Sequence, residues 1–236
     1  MNLYESGAMQ KVLGETLRPG GTELTKRALE YCRFKSGDRI LDLGCGTGAT
    51  IKCINDFYDF HVTGLDISEK LAAQAGRLNP GVDIVVASAE NTTFENSAFD
   101  GVLAECTLSL MDNLEKSIEE INRITRRKGW LIISDVYVKN TEYMDELKKL
   151  SVGTCLKRPH DLKNLRELLN RNRFNMLILE EHDNLLLQLL ADIIFEYGSM
   201  DKFWEYASGS SIDGKSFQNI LKKSKLGYFL LIACKE

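Results

Sequence analysis

The sequence predicts an α/β protein with a doubly wound, mostly parallel sheet. Three observations carry that expectation. Short apolar runs alternate with helix-period stretches from Arg39 to Ser134; the first run breaks into a glycine cluster; and a last apolar run, Tyr228 to Ala233, follows a long helical stretch. Strands separated by helices pair in parallel, because a crossover long enough to hold a helix returns the chain in its original direction.

The elements follow in order. Thr22 is placed to cap a helix running to about Tyr31, with Leu24, Ala28 and Leu29 on one face. Arg39 to Leu43 reads as the first strand, and Ala49 to Phe57 as the helix after the glycines. His61 to Leu65 reads as a second strand ending at Asp66, after which Ser68 caps a helix through about Leu78. Val82 to Ala87 and Phe99 to Ala104 read as the third and fourth strands. Asp112 and Glu115 resemble a capping box for a helix with the stripe Leu114, Ile118, Ile121, Ile124, and Arg126, Arg127, Lys128 and Gly129 read as its end. Trp130 to Ser134 is a fifth strand.

The second half is more helical. Helices are expected over Thr141 to Leu150 and His160 to Asn170, and a strand over Met176 to Leu179. From about Asn184 to Ala207, Leu, Ile and aromatic residues recur at helical spacing, which predicts a helical insertion before the closing strand. With few prolines and no linker-like tract, one domain is expected: an N-terminal lid and helix over 1–34, the core over 35–182, the insertion over 183–225 and an antiparallel closing strand over 226–236.

Composition bounds the function. Hydrophobic residues make up 44% of 236, enough for a sizeable core, and the net charge of −4 disfavours a nucleic-acid partner. No apolar run reaches the length of a membrane span, and the start MNLYESGAMQ lacks the pattern of a signal peptide, so a cytoplasmic chain with reduced thiols is expected. The six cysteines form no CxxC pair, and no metal site is expected. The oligomeric state is left open.

The chemistry-bearing segment is Ile40-Leu41-Asp42-Leu43-Gly44-Cys45-Gly46-Thr47-Gly48. It reads as a strand followed by a tight turn whose glycines let a ligand approach the backbone. Dinucleotide sites share this logic, so the glycines alone decide little. Asp66 ends the next strand, and a carboxylate there suits a ribose diol.

With these residues in order, the chain resembles the class I S-adenosylmethionine-dependent methyltransferases, of the type 11-like core, from about Lys35 to Val136 and again at the closing strand. The resemblance implies a Rossmann-like fold and S-adenosyl-L-methionine as cofactor. It implies that Gly44, Gly46 and Gly48, with Leu43 and Cys45, cradle the methionine part. Asp42 would orient the loop or the amino group, and Asp66 would hold the ribose with Ile67 beside the adenine. Ser88-Ala89-Glu90 stands where the family often has an adenine-binding Asp; Ser88 takes that position, leaving backbone groups of Ala89 and Glu90 to serve. Tyr4 and Arg18-Pro19-Gly20-Gly21 precede the first helix, and two readings stand: the segment folds over the cofactor with Tyr4 as part of a lid, or it is a disordered end followed by an ordinary turn.

On the acceptor side, Glu105-Cys106-Thr107 follows the fourth strand, and Val152-Gly153-Thr154-Cys155 lies beyond the fifth. Both segments resemble arsenite methyltransferases, which carry an Asn-Cys and a Gly-x-Cys segment there. Two converging thiolates would make a soft site for a thiophilic acceptor. The family's third cysteine is unmatched: Ile51 holds its place, and Cys53 lies about 200° round the helix. The alternative is that Cys106 and Cys155 are small buried hydrophobes, as free cysteines often are.

Glu105 is the first candidate base, followed by Asp135 and His160; His61 and His182 stand apart from any nucleophile. The functional expectation is a methyltransferase acting on a small molecule, with a thiol or metalloid acceptor as its sharpest form. A nicotinamide-dependent oxidoreductase and an inactive cofactor-binding protein of the same fold are the alternatives.

Overall fold

A computed structural model describes residues 3–149, 153–208 and 214–236. Seven strands form one sheet: β1 (Arg39–Leu43), β2 (His61–Asp66), β3 (Asp83–Val86), β4 (Phe99–Glu105), β5 (Thr125–Val138), β6 (Phe174–Glu181) and β7 (Leu226–Lys235). Their order is β3-β2-β1-β4-β5-β7-β6. The first five pair in parallel, and β7 runs antiparallel between β5 and β6. This is the doubly wound sheet with an antiparallel closing strand that the sequence predicts.

Ten helices accompany the strands among the described residues: α1 (Ala8–Leu13), α2 (Glu23–Cys32), α3 (Ala49–Phe57), α4 (Glu69–Leu78), α5 (Leu114–Ile124), α6 (Met144–Lys148), α7 (Leu162–Arg171), α8 (Asp183–Tyr197), α9 (Met200–Ser208) and α10 (Gly214–Ser224). None is long and apolar enough to cross a membrane.

The central strands read as unbroken apolar runs because both sheet faces are covered. On β5, Ile132 joins the core beneath the N-terminal segment, α2, α8 and α9, while Leu131 and Ile133 point the other way, toward α5 and α7. On β7, Leu230 and Ile232 take the first face, and Phe229, Leu231 and Ala233 the second. This is the two-residue period of a strand applied to a double-sided core.

Several boundaries differ from expectation. Asp112 does not cap α5; the Asn113 side chain accepts from the Lys116 N–H at 3.0 Å, while Asp112 pairs with Arg158. The basic run 126–128 does not end that helix, since α5 stops at Ile124 and β5 starts at Thr125. Lys235 Nζ, donating to the carbonyls of Asn122 and Thr125, ties this junction to the last strand. Thr22 precedes α2 without donating or accepting a side-chain cap bond. The helix expected over Thr141 to Leu150 is a 3-10 turn followed by α6; its Leu150 end lies outside the described residues, as does Val152. The insertion divides into α8 and α9 at Gly198, whose φ of +80° ends α8, and α10 follows within the 183–225 span expected to be helical.

Candidate functional site

The carboxyl ends of β1, β2 and β4 open onto a cavity of about 250 Å³. Crevices at this end, beside the point where strand order reverses, are where open α/β sheets place ligands. Here β1 lies between β2 and β4, so the chain leaves it in one direction and returns on its other side.

The glycine turn has three left-handed residues: Gly44 at φ +75°, Gly46 at +54° and Gly48 at +85°. Their side-chain-free positions serve different ends. A Cβ on Gly44 would run into the Thr107 side chain, so this glycine lets the turns after β1 and β4 approach each other. A Cβ on Gly48 would meet Asn79 and Ala75, so Gly48 closes the packing of α3 on α4; unlike the expectation, it does not line the cavity. Gly46 lines the cavity, and a Cβ there would meet nothing nearer than Leu17 at 3.7 Å. Leu43, also expected at the cofactor, is instead fully buried in the core beside α5. Cys45 does line the cavity, with a thiol pushed up by burial and by the carboxylates of Asp42 and Asp66.

Two acids frame this turn. Asp66 accepts from the Gly46 N–H and the Ser68 N–H, both at 2.8 Å, so it braces the turn as well as facing the cavity. Burial raises its carboxyl, against the pull of those N–H groups. Asp42 also lines the cavity, and its buried Oδ2 has no hydrogen-bond partner among the described residues. Its carboxyl is pushed up to about 8, first by burial and then by Glu105, with Arg18 opposing. A buried unpartnered carboxylate oxygen is costly unless a ligand donor reaches it.

Glu105 does not stand free as a base. Oε1 accepts from Thr25 and Oε2 from Thr50, each at 2.7 Å, and Arg18 pairs with Oε2 at 2.9 Å. The guanidinium of Arg18 also donates to Thr25 at 2.8 Å. Arg18, on a segment read from sequence as a turn, is thus a buried cation facing the same cavity as Asp42 and Glu105. No local pattern marks it, because its side-chain partners come from α2 and the end of β4. The Thr47 hydroxyl donates to the Glu15 carbonyl at 2.5 Å and holds this segment on the glycine turn.

The far wall of the cavity is Ile67, Ser88, Ala89 and Glu90. Ser88 accepts from the Glu90 N–H at 3.2 Å, and Glu90 accepts from the Asn113 N–H at 2.8 Å, so that turn is ordered from within. Asp135 and His160, the other candidate bases, do not line this cavity. Asp135 accepts from the Ser109 N–H and hydroxyl and from His160 Nε2, tying the turn after β4 to β5.

A second, smaller chamber of about 40 Å³ adjoins the first, and Tyr4, Leu17 and Cys106 belong to both walls. Cys106 has φ +52°, an uncommon value for a side-chain-bearing residue, and this turn sends its thiol toward the chamber. There the sulfur lies 3.4 Å from Tyr228 Oη, and Tyr228 donates onward to Ser134. A hydrogen bond with the Cys155 thiol, reinforced by burial, holds the Cys106 thiol well above its usual pKa. Cys155 lines the chamber, and its N–H donates to Tyr4 Oη at 3.4 Å. Tyr4 is therefore a buried partition rather than a loose end. Cys53 lines neither space and bonds with Thr22. Among the described residues no cluster of three or more His, Cys, Asp or Glu is placed to hold a metal ion.

Comparison with known proteins bears on this geometry. Residues 41–133 match the family model described as a methyltransferase domain. An O-methyltransferase of Aspergillus nomiae is 31% identical over 130 residues, which cover 52% of this chain and 58% of that protein. The chain spans about half the length of the curated relatives it matches. Phosphoethanolamine N-methyltransferase 2 of Haemonchus contortus, solved with phosphomonomethylethanolamine and S-adenosylhomocysteine, superposes with a TM-score of 0.77 at 20% identity, over 99% of this chain and 57% of that one. The [4+2]-cyclase SpnF superposes with a TM-score of 0.73 at 21% identity, over 100% and 97%. The fold is the Rossmann-like fold of S-adenosylmethionine-dependent methyltransferases, shared with a protein named for a different reaction.

Proposed function

We propose that this chain is an S-adenosylmethionine-dependent methyltransferase acting on a small molecule. The observation that carries the reading is the orphaned Oδ2 of Asp42 in a cavity that also presents bare Gly46 backbone, the Asp66 carboxylate and the buried Arg18–Glu105 pair. An amino acid's ammonium and carboxylate need an acid and a base close together, and Asp42 and Arg18 supply them. Asp66 would hold the ribose hydroxyls, and the wall from Ile67 to Glu90 would hold the base.

The cofactor, when bound, supplies a methyl group on a sulfonium, already activated for transfer. The chain's own residues then have three tasks. Asp42, Arg18 and Asp66 fix the cofactor's position. Tyr4, Leu17 and Cys106 form the partition beyond which the acceptor sits. The segment pinned by Thr47 keeps water out. Alignment and exclusion of this kind are worth up to roughly 7–11 kcal/mol of barrier, and Glu105, the acid at the end of β4, is held by Arg18, Thr25 and Thr50 rather than free to act as a base.

A thiol or metalloid acceptor is a second, finer reading, favoured by Cys106 and Cys155 both lining the smaller chamber, with Cys106 on the partition as well. Two sulfurs side by side suit a soft atom. Titration with trivalent arsenic should show binding to the parent and much weaker binding to Cys106→Ser and Cys155→Ser; equal binding by all three removes this reading.

The general reading is tested by calorimetry with S-adenosylmethionine and NADH, then by transfer of a labelled methyl group to a panel of thiols, metalloids, phenols and small acids. Binding of NADH in place of S-adenosylmethionine overturns it. Cofactor binding without turnover on any acceptor points to a protein that uses the fold for another purpose.

A further inference from the structure

The second chamber differs in chemistry from the first. The described residues that line it include no Lys, Arg, His, Asp or Glu; Leu186, Leu189 and Ile193 of α8 face Phe203 and Trp204 of α9 across it. Its side-chain polar groups among the described residues are the Tyr4 hydroxyl, Thr154 and the two thiols, on the side shared with or next to the partition, and the Trp204 indole N–H on the α9 side. The first cavity carries the acids Glu15, Asp42, Asp66, Glu90, Glu105 and Asp112, and its one described arginine, Arg18, is already paired with Glu105. A phosphate or carboxylate on the acceptor would meet no cation among the described residues of the smaller chamber, and burying such a charge unpaired is prohibitive. An apolar chamber of this kind stays dry and accepts hydrocarbon.

We infer that the chamber between α8 and α9 is the acceptor subsite, and that the acceptor is a small uncharged molecule with a short hydrocarbon group. The inference rests on the methyltransferase reading and narrows its substrate class. The reacting atom lies at Cys106, where the chambers meet, and the hydrocarbon points toward Ile193 and Trp204. At about 40 Å³ the chamber has room for roughly three or four heavy atoms. Phosphoethanolamine, the substrate class named for a structurally similar protein, is of the wrong charge for these walls.

Trp204 offers a direct readout, since the only other tryptophan, Trp130, packs against Tyr31 away from the chamber. In a Trp130→Phe background, 2-propanethiol is titrated against fluorescence, with and without S-adenosylhomocysteine. The expected result is a saturable change with 2-propanethiol and none with phosphoethanolamine at about a hundredfold higher concentration. Ile193→Phe should weaken the probe about tenfold by filling the chamber, while S-adenosylhomocysteine still binds by calorimetry. Ile193→Ala should admit benzenethiol about tenfold better than the parent does, which keeps the test decisive if the larger side chain disrupts folding. Phosphoethanolamine competing with the probe, or probe binding indifferent to both Ile193 variants, overturns the inference. Failure of S-adenosylhomocysteine to bind, read in its own titration, counts against the cofactor reading alone.

Discussion

The Arg18 guanidinium lies 2.9 Å from the Glu105 carboxylate, with both side chains almost wholly buried at the mouth of the larger cavity. The pair joins the N-terminal segment to the end of β4. Arg18→Met leaves Glu105 charged in the interior and should cost about 3–5 kcal/mol of stability. Adding Glu105→Gln should recover part of that loss. Urea unfolding of the two single variants and the double supplies the coupling energy, and simple additivity would show that the pair is not coupled.

Asp42 makes stability depend on pH. Its carboxyl is pushed up to about 8 in the folded chain, against about 3.9 when unfolded. Between those values the unfolded chain has lost the proton that the folded chain retains. Stability of the cofactor-free protein should therefore fall as pH rises from about 4 to about 8, then level off. Asp42→Asn should remove this slope and be more stable than the parent at about pH 8, by roughly 1–3 kcal/mol, while binding S-adenosylmethionine more weakly. Melting curves that run parallel for parent and variant across this range would refute the assignment.

Asp66→Ala is expected to weaken S-adenosylmethionine by about 1.5–3 kcal/mol, the range for hydrogen bonds to a charged group. Because Asp66 also accepts from the Gly46 and Ser68 N–H groups, the variant should melt earlier as well. Calorimetry and a thermal melt separate the two losses; unchanged affinity would mean that Asp66 only braces the turn.

The glycines should divide by role. Gly44→Ala and Gly48→Ala should both destabilise, because their Cβ atoms run into Thr107 and into Asn79 and Ala75. Gly46→Val should keep a folded domain, at a cost of about 1–2 kcal/mol for a left-handed backbone, yet lose S-adenosylmethionine. Circular dichroism alongside calorimetry checks this, and a Gly46→Val protein that still binds the cofactor would place the ligand elsewhere.

The sequence by itself determined the strand–helix alternation, the existence of the last strand and the glycine turn flanked by Asp42 and Asp66. These features are local: two-residue and 3.6-residue periods, capping side chains and glycine punctuation act over a few neighbours, so they can be read along the chain.

What only the tertiary structure decided depends on residues brought together across the fold. Arg18 became a buried cation only because α2 and β4 place Thr25 and Glu105 beside it, and Thr50 of α3 holds the same Glu105 carboxylate. The same convergence takes Glu105 out of service as a base, and Asp135 and His160 are spent on the turn after β4. Gly48 looked like a cofactor residue by its place in the motif, but helix packing against Ala75 and Asn79 is what excludes a side chain there. The apolar chamber has no sequence signature, since its walls come from the N-terminal segment, the turns after β4 and β5, α8 and α9. Burial and charge pairing are properties of a place in space, and the chain reaches that place from several distant stretches at once.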